Sequence, residues 1–242
     1  MSVEAQMPSF HSVLSPQSSV LNYMAKDIAI VLNNGSLNGA VLTALAAQKY
    51  RPLMLYAEIA PQAGSRARAA YDQQVAHFKP YREHSLPMPF LAALGQTSQQ
   101  GSATADPRQG AAVGKQVLDL LPLIATAARY AVHYQAAAIF LGLRIGPHAD
   151  SLAQATEYVQ IWNELVQLPC GQGELEIVTP ILELDPWQVV DVGFQTGAPL
   201  DRTWSCLGEM SDPCWACRGC RGREAAFQQA GKADPMRVVR KI

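Results

Sequence analysis

Four of the chain's five cysteines crowd one short stretch: Cys206, then Cys214, Cys217 and Cys220. One outlying thiol, a seven-residue loop and two successive Cys-x-x-Cys steps suit a tetrahedral metal. Each two-residue step turns neighbouring thiolates toward one ion, and the longer loop brings the first thiol back to complete the set. Soft thiolates at this spacing favour zinc or an iron–sulfur centre. Structural zinc is the expected occupant. Two disulfides or four unrelated thiols are the plainer alternatives. A redox pair would use one Cys-x-x-Cys and leave the other thiols idle. Cys170, alone between Pro169 and Gly171, is given no role.

The second stretch with chemical potential is Asn33-Asn34-Gly35-Ser36-Leu37-Asn38-Gly39. It lies between an apolar run and an Ala/Leu-rich segment, as a turn between a strand and a helix would. Backbone N–H groups at such a helix start can hold phosphate. The stretch lacks the Lys of a Walker A loop and the spacing of a dinucleotide fingerprint. Many strand–helix turns use the same residues for ordinary sterics. Arg144, directly after an apolar run, could meet an anion at a strand mouth, though a surface arginine explains it equally well. His148 and Asp150 fall beyond the same strand, where catalytic groups collect; a helix N-cap accounts for Asp150 as readily. His77, His84 and His133 are scattered and read as solvated or core-satisfied. Arg218, Arg221 and Arg223 form a small basic cluster around the cysteines, read as a solvated or dimer-facing patch, with contact to tRNA as the other reading.

The elements that must position these residues alternate between strand and helix. Asp27 to Leu32 reads as a buried parallel strand that stops at Asn33-Asn34-Gly35. Ala40 to Ala47 is a helix ending near Tyr50, and Leu53 to Ala57 a second strand. Ser65 can cap a helix running to Phe78. His84 to Met88 is a weaker strand, because its prolines cannot donate to a ladder. Gly95 to Gly114 reads as a mobile surface loop or lid. A helix from about Lys115 to Tyr134 has an inner face of Val117, Leu121, Ile124 and Ala128. Pro122 should kink or split it. Ala136 to Leu143 and Glu174 to Thr179 are further strands. Between them an amphipathic helix from Asp150 carries Ala155, Tyr158, Val159, Trp162 and Leu165. Pro186 opens a last helix, closed by Gly197. The pattern predicts an α/β domain, a parallel sheet covered on both faces, with ligands at the C-terminal strand ends.

Three regions follow: an arm over 1–26, an α/β domain over 27–200 and a metal-binding segment over 201–242. The 242 residues carry a net charge of −1 and are 49% hydrophobic and 16% charged. No global field draws the chain to nucleic acid or a membrane, and its apolar runs are too short to span a bilayer. No secretory signal is evident, so the expected compartment is the cytoplasm, where thiols stay reduced.

Several stretches resemble the 7-cyano-7-deazaguanine synthases, the queuosine-pathway members of the PP-loop ATP pyrophosphatases. The resemblance rests on Thr179-Pro180-Ile181, Asp185 and Val190, Gly197-Ala198-Pro199-Leu200 and Thr203-Trp204-Ser205-Cys206. The remaining cysteines and Arg223-Glu224-Ala225-Ala226-Phe227 through Ala230-Gly231 continue it. Upstream, Ile28 to Leu42 falls where the family has its PP-loop, Ser-Gly-Gly-x-Asp-Ser. The resemblance implies a five-stranded parallel doubly wound sheet with a C-terminal zinc-bearing appendage, and a homodimer. It also implies an ATP-dependent ligase with magnesium: a 7-carboxy-7-deazaguanine carboxylate is adenylated, ammonia enters, and the amide is dehydrated after a second activation.

The loop departs from that pattern. The family's first Ser is Asn34, its second Gly is Ser36, its Asp is Asn38 and its last Ser is Gly39; Gly35 alone matches a signature position. Asn38 lacks the carboxylate that could help hold magnesium, and Gly39 lacks a hydroxyl donor to phosphate. The Arg-Asn pair of the family's long middle helix is not found near Leu120 to Arg129. Its Tyr-Pro-Asp-Cys-Arg substrate loop is replaced by Gly146-Pro147-His148-Ala149-Asp150-Ser151, in which Asp150 alone corresponds. By resemblance, Asn34, Gly35, Ser36, Leu37, Asn38 and Gly39 would hold a nucleotide, and Asn38, Arg144 and Asp150 are the remaining catalytic candidates. A small-molecule nucleotide or deazaguanine-type base is the expected partner. Two other readings stand beside the ligase: a diverged paralogue that binds without that chemistry, and a structural zinc-bearing subunit.

Overall fold

The computed structural model describes residues 27–59, 65–93, 111–170, 175–208 and 210–238. The expected arm over 1–26 and most of the expected lid over 95–114 lie outside them. In chain order the elements are β1 (Ile28–Leu32), α1 (Leu37–Lys49), β2 (Arg51–Glu58), α2 (Ser65–Phe78), β3 (Arg82–Pro87), α3 (Ala111–Tyr134) and β4 (Ala138–Phe140). α4 (Ala149–Cys170), β5 (Glu176–Val178), α5 (Pro186–Thr196), a 3-10 turn at Leu200–Arg202, α6 (Arg218–Gln229) and α7 (Pro235–Val238) follow. The five strands are all parallel, in the order β3-β2-β1-β4-β5. This is the doubly wound sheet the alternation predicts.

Period-two alternation assigns the two faces. Ile30, Leu53, Leu55 and Ile139 point to the side covered by α3 and α4, where they meet Ile124, Ala128, Trp162 and Val166. Ala29, Val31, Ala138 and Phe140 point to the other side, against Leu42 and Ala46 of α1. Met54 and Tyr56 pack there on Tyr71 of α2. Leu37 and Val41 of α1 join Val189 and Val190 of α5 and Phe227 of α6 in one cluster. Burying a side chain of this size contributes about 1.5–3 kcal/mol, so the sheet centre holds the fold.

Four sequence expectations are adjusted. α3 begins at Ala111, so Ala111–Gly114 are helix rather than loop. It also runs unbroken through Pro122 instead of splitting. The proline removes one N–H from the ladder, and Leu118 and Leu121 beside it are exposed, so the interruption falls on the open side of the helix. Leu121 is therefore not on the inner face. The two late strands are shorter than their apolar runs. Beyond Phe140 the ladder continues only through the Leu141 N–H to Val178 O, and the chain then bends until the Ile145 and Gly146 N–H groups meet Leu182 O.

Candidate functional site: a loop cleft and a cysteine cluster

β1 is flanked by β2 on one side and β4 on the other, so the strand order reverses beside it. At that switch point a cleft of about 190 Å³ opens, of the kind in which doubly wound sheets bind ligands. Asn33, Asn34, Ser36, Asn38 and Gly39 line one wall; Leu55, Ala57 and Leu141 form the floor, and Leu120 and Leu123 of α3 the roof. Gly35 and Leu37 do not line it: Gly35 is buried against α2 and Leu37 in the α1–α5–α6 cluster. Arg144 and Asp150 do not line it either. Asp150 is exposed in the first turn of α4.

The loop is held by its own side chains and by α2. Asn33 Oδ1 accepts from the Gly35 N–H at 2.8 Å, and Asn34 Oδ1 from the Ser36 N–H at 3.2 Å. Ser36 caps α1, its hydroxyl accepting from the Gly39 N–H at 3.2 Å. Such a cap contributes about 1 kcal/mol. Asn33 Nδ2 donates to Thr43 Oγ1 at 2.9 Å and to Gln74 Oε1 at 2.8 Å. Gln74 Nε2 in turn donates to Gly35 O at 3.1 Å and to Arg202 O at 2.9 Å. Asn33, Thr43 and Gln74 are all buried, and none of their polar atoms is left unpaired. Gly35 sits at φ 77°, where a Cβ would overlap the Ala67 carbonyl, so both conformation and space require glycine. Of the first helical N–H groups, those of Leu37 and Asn38 remain the uncapped pair aimed out of α1. Thr43 and Gln74 are absent from the sequence-based candidates. Their signal was faint: Thr43 is one polar residue in an apolar helix and Gln74 one of several in a polar helix, and only the fold shows both on the buried side.

The second feature is the cysteine cluster. The four Sγ atoms of Cys206, Cys214, Cys217 and Cys220 lie within 4.8 Å of one another, and all four thiols are free. Cys206–Cys214 is 3.5 Å, Cys206–Cys217 3.9 Å and Cys214–Cys220 4.0 Å. A tetrahedral ion with metal–sulfur bonds of about 2.3 Å sets its ligands about 3.8 Å apart, so the set fits such an ion. Backbone N–H groups already point at the sulfurs: Gly208 and Cys214 at Cys206, Cys217 at Cys214. The N–H groups of Leu207 and Cys220 reach Cys217 and bring its thiol down to about 6, whereas burial pushes Cys220 up to about 12. Gly219 gives α6 room to start beside the Ser205 carbonyl, which a Cβ would overlap.

Arg223 corrects the reading of a solvated basic patch. Arg218 and Arg221 are exposed, but Arg223 is buried. Its Nε and Nη2 hold both carboxylate oxygens of Asp234 at 2.6 and 2.8 Å, Nη1 donates to Thr203 Oγ1 and Nη2 also to Leu200 O. His84 is satisfied by the Tyr134 hydroxyl at 2.8 Å. No helix among the described residues is long and apolar enough to cross a membrane.

A family model described as queuosine biosynthesis protein QueC matches residues 28–231. The 7-cyano-7-deazaguanine synthase of Koribacter versatilis (strain Ellin345) is 25% identical over 217 residues, covering 86% of this chain and 92% of that protein. The 7-cyano-7-deazaguanine synthase of Acidobacterium capsulatum is 24% identical over 226 residues, 87% of this chain and 96% of that one. A solved NMN synthetase from Francisella tularensis aligns over 89% of this chain and 81% of its own, with 15% identity and a TM-score of 0.45.

Proposed function

The chain belongs to the QueC family of queuosine biosynthesis proteins, and from that premise we propose that it is a 7-cyano-7-deazaguanine synthase-like protein diverged at its loop. It binds a nucleotide or a 7-deazaguanine-type base in the cleft beside β1, and its ATP-dependent carbon–nitrogen ligase activity is low or absent. One observation carries this reading: among the described residues, none that lines the cleft bears a carboxylate, an imidazole or a cationic group. A carboxylate activated by ATP carries charge through its transition state. Preorganised groups that stabilise such charge are each worth about 10²–10³ in rate.

For the nucleotide, the uncapped Leu37 and Asn38 N–H groups and the α1 dipole are the remaining phosphate donors. The side chains of Asn34, Ser36 and Asn38 are neutral donors and acceptors suited to a base edge. The cleft does not fit magnesium, which binds through carboxylates and phosphates, and no step is assigned to it. Zinc suits the four thiolates best, held by Cys206, Cys214, Cys217 and Cys220. Its contribution would be a structural cross-link between the 203–206 segment and α6. A homodimer is supported by the apolar groove of about 380 Å³ between α3 and α4, where Leu121 and Leu165 are exposed.

The decisive experiment measures ATP consumption and nitrile formation by the purified protein with 7-carboxy-7-deazaguanine and ammonia, beside calorimetry of each ligand. The expected result is ligand binding with turnover far below about 1 s⁻¹, a rate ordinary for enzymes. Turnover at that rate or faster would overturn the diverged-loop reading. Absence of binding by ATP and by 7-carboxy-7-deazaguanine would overturn the cleft as their site. Metal analysis should return one zinc per chain, lost in Cys214→Ser. Light scattering should give a dimer that Leu165→Glu weakens.

A further inference from the structure

We infer that Asn33 is the positioning residue of the cleft loop, locking it in a form that withholds the Gly35 N–H from any ligand and obliges position 39 to be glycine. The inference rests on the cleft being the ligand site proposed above, and it adds a residue that the loop's own motif does not contain.

The geometry is specific. The Asn33 side chain turns back beneath the first turn of α1 instead of joining the cleft as a free polar group. Its Oδ1 holds the Gly35 N–H, and its Nδ2 is divided between Thr43 Oγ1 and Gln74 Oε1. It therefore occupies the volume next to Gly39: a Cβ built at Gly39 would overlap Asn33 Oδ1 and crowd Asn33 Cγ. The neighbour is not the loose end of a flexible chain. Asn33 is fixed by three hydrogen bonds in a buried setting, and Gln74, which anchors it, is bound to Gly35 O and Arg202 O. A side chain at position 39 thus cannot enter while asparagine stands at 33.

The Asn33 bond and two neighbouring ones leave the loop with few free donors. The Gly35 N–H is consumed by Asn33, the Ser36 N–H by Asn34 and the Gly39 N–H by Ser36. A loop meant to wrap a chain of phosphates presents successive free N–H groups; this one has three of its own already paired. Without Asn33, the Gly35 N–H would be released and space would open for a hydroxyl at 39. The absence of a hydroxyl at 39 and the presence of asparagine at 33 are then two halves of one arrangement. Restoring the hydroxyl alone should fail.

The test is a double-mutant cycle of Gly39→Ser and Asn33→Ser, read by thermal unfolding and by calorimetry with ATP. Gly39→Ser alone should lower the midpoint of thermal unfolding by about 5 °C, the effect of overpacking a rigid site. Asn33→Ser alone should also destabilise, because Gln74 Oε1 loses its donor. In the double variant the two effects should fall clearly short of their sum, and ATP should bind at least fivefold more tightly than to the wild type. Strict additivity of the two stability changes would overturn the interlock. Coupled stability with ATP affinity no higher than in the wild type would overturn the claim about donors. If Asn33→Ser does not fold, amide exchange in the wild type decides: the Gly35 N–H must be strongly protected, and exchange as fast as an open turn refutes the lock. Failure of the wild type and every variant to bind ATP also refutes the donor claim. Binding of 7-carboxy-7-deazaguanine alone would keep the cleft as a ligand site, whereas binding of neither compound would strike the cleft reading. The unfolding cycle still judges the interlock in either case.

Discussion

Arg223 shows how far a residue's role can lie from its appearance in sequence. Three arginines within one helix read as a charged patch, yet one of them turns inward and clasps Asp234 with two hydrogen bonds while also holding Thr203 and Leu200. Replacing one partner of such a pair leaves the other charge buried, at a cost of about 3–5 kcal/mol. Arg223→Met should therefore lose stability on that scale in denaturant unfolding. Arg218→Met, at an exposed position, should stay within about 0.5 kcal/mol of the wild type. Equal losses for the two would remove Arg223 from the structural core of the tail. The contrast with the cysteines is instructive. Thiols announce themselves by type and spacing, because few other arrangements use four of them so close together. A buried arginine has no such signature, since its partner Asp234 lies beyond the end of the helix, just before α7.

At the scale of elements, the strands and helices before α3 were legible because apolar runs, turn residues and prolines agreed with one another. The run from Ile28 to Leu32, the stop at Asn33, and the helix ending before Pro80 all fall where the sequence places them. The late strands were overextended in the sequence reading, because an apolar run reports burial and not ladder pairing. Leu141 and Leu143 are buried beyond the strand's end. The loop's hydrogen bonding was not legible, since Gln74 meets Gly35 and Asn33 only after α2 has crossed the sheet. Two glycines of α6 make the same point. A Cβ at Gly219 would overlap the Ser205 carbonyl, whereas at Gly222 it would meet open space. Gly222→Ala should stabilise the protein by about 0.5–1 kcal/mol through helix propensity alone, and Gly219→Ala should destabilise it. A destabilised Gly222→Ala in thermal unfolding would mean that this face of α6 is covered.

At the scale of the whole molecule, the β1–β4 junction that shapes the cleft also has a consequence in time. β1 pairs with β2 after a single intervening helix, but its other edge waits for β4, with Ile30 beside Ile139. Closing so long a stretch of chain costs entropy before any contact rewards it. The first three strands with α1 and α2 are thus expected to assemble as a nucleus, and β4 and β5 to dock late. Leu53→Ala, in that first half, should slow refolding, whereas Ile177→Val, in β5, should mainly quicken unfolding. Stopped-flow kinetics showing the reverse would place the nucleus in the second half. With the expected order, the cleft does not exist for most of the folding reaction. Part of its floor, at Leu55 and Ala57, is laid down early, but the rest, at Leu141, arrives with β4, so a ligand can favour the finished protein without hastening its formation.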